Sequence, residues 1–244
     1  MTASAPALVG ISHGTSSPEG RRAVRALHDA VAEALGTRHP DAAPSARLGH
    51  VDVEQPDVPA TLASLAPGEP AVVVPLLLSA GYHVHVDLTE AVEAAADRRV
   101  ALAGALGPDD RLATVLARRL AEAGVRDDDA VVLSVAGSSD WRAVRDCHDM
   151  RERLAAATGR DIGLGFLSAA EPLLSAAVEQ ARADASGARV VVASYLLAPG
   201  YFQDLAETAG ADVVTVPLLV PDAAPPAELV EIVLDRYDAA LGAR

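Results

Sequence analysis

The residues best equipped for chemistry are histidines and carboxylates that follow apolar runs. Residues 72–78 form a continuous β-branched and aliphatic run, the pattern of a strand buried on both faces of a parallel sheet. The run breaks at Ser79-Ala80-Gly81 and delivers His83, His85 and Asp87 within five residues. His13 stands in the same relation to a shorter run, Ala7–Ser12, and Asp52 ends a third at residues 47–53. In an open α/β sheet, ligands sit in the crevice beyond the carboxyl ends of the strands, so His13, His83 and Asp52 are expected on one rim. Neutral imidazole is the commonest transition-metal ligand and titrates near physiological pH. Two imidazoles facing each other could hold a divalent ion with open positions, or accept protons from a substrate.

Plainer readings account for the neighbouring groups. Asp87 suits the N-cap of a following helix, with Glu90 completing a capping box, and His85 then points to solvent. His50 lies in a strand and reads as structural, while His28 and His39 receive no role. Cys147 and His148 are adjacent on a helix, and adjacent helical residues do not share a face, so they make no dyad. The turn Gly14-Thr15-Ser16-Ser17 precedes a helix and could bind an anion through backbone N–H groups. Arg21, Arg22 and Arg25 on that helix read by default as a solvated face. No Gly-x-Gly-x-x-Gly fingerprint, Walker loop or Gly-x-Ser-x-Gly elbow occurs.

The elements that must position these groups alternate in type. Ser17 is a plausible N-cap with Pro18 at the first helical position, and Val24, Leu27, Val31 and Leu35 give the apolar stripe. Pro56 opens a second helix, residues from about Asp87 a third, and residues 109–123 a fourth, with a weaker strand at 100–105. Strands alternating with helices imply βαβ units and a parallel sheet. The polar stretch 124–129 is the expected boundary, after which the pattern restarts with strands at 131–135, 161–167, 189–197 and 213–220. Two similar lobes are therefore expected, residues 1–124 and 125–244, each a short parallel sheet with helices on both faces. The turn glycines persist in both halves, but Ala136 matches His13 and Phe202 matches His83. One active site built mainly by the first lobe follows, the second lobe supplying a wall of the cleft.

Composition narrows the partners. The 244 residues carry a net charge of −14, which disfavours nucleic acid and anionic membranes, and the aromatic share of 3% argues against a base-stacking platform. A single cysteine, Cys147, excludes an intramolecular disulfide framework and a cysteine-based metal site. With no export signal and no apolar run near the ~20 residues of a membrane span, a cytoplasmic protein is expected.

Ser12-His13-Gly14-Thr15 behind a first strand, combined with Pro75-Leu76-Leu77-Leu78-Ser79-Ala80-Gly81-Tyr82-His83-Val84-His85-Val86-Asp87-Leu88, resembles the sirohydrochlorin chelatase family. Leu106-Gly107-Pro108 fits as well, and the second half looks like the degenerate lobe of two-lobe members. The resemblance implies insertion of Fe²⁺, for sirohaem, or Co²⁺, for the cobalamin route, into a tetrapyrrole, with iron the first choice. The metal would be a substrate, and no tightly bound cofactor is implied. His13 and His83 would handle the metal and the pyrrole protons. Asp52 falls where relatives carry Glu in Phe-Leu-Glu, and His50 replaces the aromatic of that motif. Ser12, Gly14, Gly81 and Tyr82 would line the substrate site. The substrate's carboxylates would call for some of Arg21, Arg22, Arg25, Arg142 and Arg145, because guanidinium pairs with carboxylate bidentately. An internal repeat can complete the site within one chain, so a monomer is expected. The rival readings are a non-catalytic metal- or tetrapyrrole-binding protein on the same scaffold, and a two-lobe small-molecule clamp.

Overall fold

The computed structural model describes residues 5–42, 44–79, 82–95, 97–185 and 187–242, and within these the side chains of residues 82–85 fall outside the description. Strand β1 (Ala7–Ser12) is buried at every position, as its unbroken apolar character requires, and leads through Ser17 into helix α1 (Pro18–Arg38). The Ser17 side chain accepts the Gly20 N–H, so the cap read from sequence forms. Strand β2 (Ala46–His50), helix α2 (Val58–Ala63), strand β3 (Ala71–Pro75), helix α3 (Tyr82–Ala94) and strand β4 (Val100–Leu102) follow. Their sheet is parallel throughout, in the order β2-β1-β3-β4. Central β1 has Leu8 beside Ala46 on one side and Val72 on the other.

Side chains alternate across this sheet, as the strand period demands. Ala7, Val9, Ile11 and Val73 point to one face and pack with Val58, Leu62 and Leu65 on and after α2 and with Leu88 of α3. Fully burying an aliphatic side chain contributes about 1.5–3 kcal/mol, so this layer fixes α2 and α3 against the strand ends. The opposite face is covered by α1 and by the last helix of the chain.

After helix α4 (Asp110–Glu122) the pattern repeats: β5 (Ala130–Val135), α5 (Trp141–Thr158), β6 (Ile162–Phe166), α6 (Leu174–Asp184), β7 (Val190–Tyr195), α7 (Tyr201–Glu207), β8 (Val213–Val214) and α8 (Ala227–Gly242). The second sheet, β6-β5-β7-β8, has the order and parallel sense of the first. Two similar α/β lobes with parallel sheets, each with helices on both faces, are therefore the architecture.

The compact units are cut differently from the repeat. The first runs through Leu106 and is completed by α8 from Ala227 onward, and the second runs from Gly107 to Pro226. The final helix of each half thus packs on the sheet of the other half, so the compact units differ from the repeat halves 1–124 and 125–244 in where α4 and α8 fall. Inside the first unit α8 is fastened by specific bonds. Buried Tyr237 donates its hydroxyl to the Pro6 carbonyl at 2.6 Å, and Arg236 donates to the carbonyls of Ala105 and Leu106 at 2.8 and 2.9 Å. Arg38 at the end of α1 pairs with Glu231, Asp235 and Asp238 of α8. His39 shares Asp238 at 2.9 Å, so it belongs to this clasp. In the second unit α4 buries Leu112, Val115, Leu116 and Leu120 beside α5 and β7.

Helix α3 begins at Tyr82, five residues before the expected start near Asp87. Asp87 is therefore an exposed residue inside the helix, where no N–H awaits a cap. Residues 213–220 were expected as a strand, but only Val213 and Val214 pair; Leu218 and Leu219 are buried beyond the strand's end. No described helix is long and apolar enough to cross a membrane.

Candidate active site

The site is built from the carboxyl end of β1 outward. Ser12 closes the strand, and His13 follows as an exposed side chain on the rim. The segment after β2 is sewn to it by backbone bonds: Val51 N–H donates to the Ser12 carbonyl and Asp52 N–H to the His13 carbonyl, both at 2.9 Å. His13 and Asp52 are therefore brought together as their strand-end positions suggest. Asp52 is exposed, and its Oδ1 accepts the Val53 N–H at 2.7 Å. Val53 has φ +65° and is 56% exposed, a conformation that a β-branched side chain resists.

Gly14 makes this close approach possible. Its φ is +92°, and a Cβ there would stand 1.9 Å from the Asp52 carbonyl oxygen. Only glycine fits, because both the dihedral and the space exclude a side chain.

A buried polar group lies beneath the turn. His50 is 4% exposed, and its Nδ1 is 2.8 Å from Ser12 Oγ. Burial pushes the His50 imidazole below its ordinary pKa range; Arg25 and Arg21 act in the same direction, and Glu54 opposes them. Glu54 accepts the Thr15 N–H at 2.9 Å through Oε1 and faces Arg21 Nε at 3.3 Å through Oε2, while Arg21 Nε also donates to the Thr15 carbonyl at 2.9 Å. Ser12 is thus buried, with its hydroxyl directed at His50 and not at solvent, and the Arg21 Nε holds the turn. Glu54 escaped the sequence reading, because its partners lie 33 and 39 positions away. A signal existed: Ser12, His50 and Glu54 are all replaced by apolar residues in the second half.

The remaining expected residues are placed as follows. Positions 83 and 87 lie one helical turn apart in α3, whereas the side chains of Tyr82, His83 and His85, and all of Gly81, lie outside the described residues. Arg22 pairs with Glu19 at 3.5 Å, and Arg25 is exposed on α1. Arg142 is exposed beside Asp140, its Nε 3.5 Å from Oδ1, and Arg145 lies over the Trp141 ring at 5.4 Å. Cys147 is buried in α5, and burial pushes its thiol up to about 12, which leaves it inert. Among the described residues no three His, Cys, Asp or Glu side chains converge as a ready metal site.

The second unit repeats the turn without its functional groups. Leu167 N–H donates to the Val135 carbonyl and Ser168 N–H to the Ala136 carbonyl, at 2.9 and 3.1 Å. Gly137, with φ +90°, would place a Cβ 1.9 Å from the Ser168 oxygen. Ala169 matches Val53 in its positive φ, and Phe166, fully buried, matches His50. What this rim carries instead is apolar. Trp141, Leu173, Tyr201, Phe202 and Val216 are exposed there, each following the carboxyl end of a strand. With Val53 they are all of the exposed large hydrophobic residues among those described.

The model of the CbiX family matches residues 7–123 and 130–207 of this chain. The chain belongs to the CbiX family. SirB from Bacillus subtilis, solved with Fe³⁺, superposes with a TM-score of 0.75 at 18% identity, covering 96% of this chain and 95% of that one. The sirohydrochlorin chelatase SirB from Bacillus subtilis subspecies spizizenii, in complex with cobalt, gives 0.72 at 16% identity over 98% and 96% of the two chains. CbiX, described as the terminal enzyme for sirohaem biosynthesis in denitrifying bacteria, gives 0.62 at 16% identity over 94% and 98%. No curated protein sequence matches the chain. The two lobes of this CbiX-family chain share one sheet order, and its histidine-bearing turn lies in the first.

Proposed function

We propose that this chain is a sirohydrochlorin chelatase, a lyase that inserts a divalent metal into the tetrapyrrole, with Fe²⁺ preferred and Co²⁺ next. The observation that carries the reading is the turn at the end of β1, where exposed His13 and the Asp52 segment are locked together in a CbiX-family fold. Metal insertion removes two pyrrole N–H protons and exchanges the ligands of the ion for four ring nitrogens. An exposed imidazole with few neighbouring ligands suits delivery, because a closed four-ligand site would retain the ion. His13 and His83 divide the work of holding the ion and accepting protons, and Asp52 supplies a carboxylate beside His13. The relatives solved with Fe³⁺ and with cobalt support a metal of this class.

Arg142 belongs to the proposed substrate-binding set with Arg21, because guanidinium pairs bidentately with the substrate's carboxylates. Gly14 contributes close backbone, and Gly81 and Tyr82 belong to the same substrate-binding set as His83. A monomer in the cytoplasm fits this reading. The test is anaerobic insertion of Fe²⁺ and, separately, Co²⁺ into sirohydrochlorin, followed by the absorbance of the ring. Acceleration over the uncatalysed rate supports the chelatase, and the ratio of the two rates orders the metals. Ring binding without acceleration makes the protein a non-catalytic tetrapyrrole binder.

A further inference from the structure

We propose that Ser12, His50, Glu54 and Arg21 are a positioning network that holds the His13 turn in its working conformation. The inference deepens the chelatase reading and rests on it for the chemistry, although the geometry stands by itself.

The network grips the turn on both sides of His13. On one side the Ser12 hydroxyl meets His50 Nδ1 at 2.8 Å, with both residues buried. On the other, the N–H of Thr15 goes to the Glu54 carboxylate and its carbonyl receives Arg21 Nε, each at 2.9 Å. His50 Nδ1 and Glu54 Oε1 are 3.8 Å apart, so the two grips adjoin. His13 thus sits on a short bridge of chain whose ends are tied by side chains and whose Gly14 rests on the Asp52 carbonyl.

The second unit shows that the fold does not need these groups. It makes the same turn, with the same backbone bonds and a glycine in the same conformation, and carries Val135, Phe166 and Ala170 in place of Ser12, His50 and Glu54. Burying an imidazole and a carboxylate is unfavourable compared with an apolar residue of similar size. The polar set accompanies the imidazole at position 13 and is missing where position 136 is Ala. A group that folding does not require, placed around the residue that does the chemistry, acts on that residue. Side chains on rigid elements with satisfied hydrogen bonds restrict the geometry of a reactive group, and small misplacements lower rates steeply.

The variant to make is the triple change Ser12→Val, His50→Phe and Glu54→Ala, which imports the residues that already fold in the second unit. Single His50→Phe serves if the triple variant does not fold. Two readouts are needed, turnover of Co²⁺ insertion and NMR relaxation of the His13 ring. The expected result is a kcat roughly 10- to 100-fold lower, with KM for the tetrapyrrole within about twofold, and a more mobile His13 ring. Ring relaxation unchanged from wild type in the folded variant overturns the proposal, whatever the rate. Failure of the wild type to insert metal defeats the chelatase reading alone, and the ring comparison then decides the network by itself.

Discussion

His13 and Ala136 occupy one position in two copies of the same turn, so the second unit serves as a control for the first. The control isolates side-chain chemistry from backbone scaffolding, because the carbonyl–amide bonds and the turn glycine are common to both. Val53 is the residue where scaffold and side chain disagree. Its φ of +65° is adopted by Ala169 in the second unit, so the turn dictates the conformation and Val53 bears it. The left-handed region costs an L-residue about 1–2 kcal/mol, and a glycine regains part of this while losing more chain entropy on folding. Val53→Gly is accordingly expected to stabilise the protein by about 0.5–1 kcal/mol in urea denaturation. An unchanged or lower stability would mean that exposed Val53 makes packing contacts that outweigh the dihedral.

At the scale of elements, the strands and long helices follow from periodicity and capping. The run Ala7–Ser12 is a strand over those same residues, and Asp109 and Asp140 cap α4 and α5 through their side chains. The start of α3 was hidden because Tyr82-His83-Val84-His85-Val86 alternates with a period of two and carries two β-branched valines, a sequence pattern with no helical period. Helix α7, only 7 residues long, gave no usable period, and the apolar run behind β8 was buried loop and not strand. The His50–Glu54 network shows only in the comparison of the two halves, since its contacts join β1, α1 and the segment after β2 across long separations. The turn glycines are the most demanding element feature. Gly14→Ala and Gly137→Ala each force a Cβ toward a backbone oxygen, at 1.9 Å in both units. Both are expected to destabilise by about 1–3 kcal/mol, measured by thermal or urea unfolding. Only Gly14→Ala should also depress metal insertion at a temperature where both variants remain folded.

At the scale of the molecule, the repeat legible in the sequence and the units that pack are out of step by one helix. The repeat suggests cutting after residue 124, yet α4 belongs to the second sheet and α8 to the first. Local patterns reveal that a helix is amphipathic but not which sheet receives its apolar face, so this exchange could not be read. The consequence is testable with fragments. Residues 107–226 contain a whole sheet and the helices that cover it, in one continuous stretch. That fragment is expected to fold alone, with cooperative unfolding and dispersed amide resonances. The fragment 125–244 lacks α4 and exposes the surface that Leu112, Val115, Leu116 and Leu120 cover, and it is expected to be unfolded or aggregated. Equal folding of both fragments would show that α4 is dispensable to the second unit.

The account as a whole rests on metal insertion by the first unit's histidines, and the most direct measurement extends the anaerobic insertion assay to His13→Ala and His83→Ala. Wild type is expected to accelerate insertion of Fe²⁺ or Co²⁺ into sirohydrochlorin. Both variants are expected to fold, to bind the ring and to fall to within about tenfold of the uncatalysed rate. Acceleration by His13→Ala equal to that of wild type would contradict the assignment of the site.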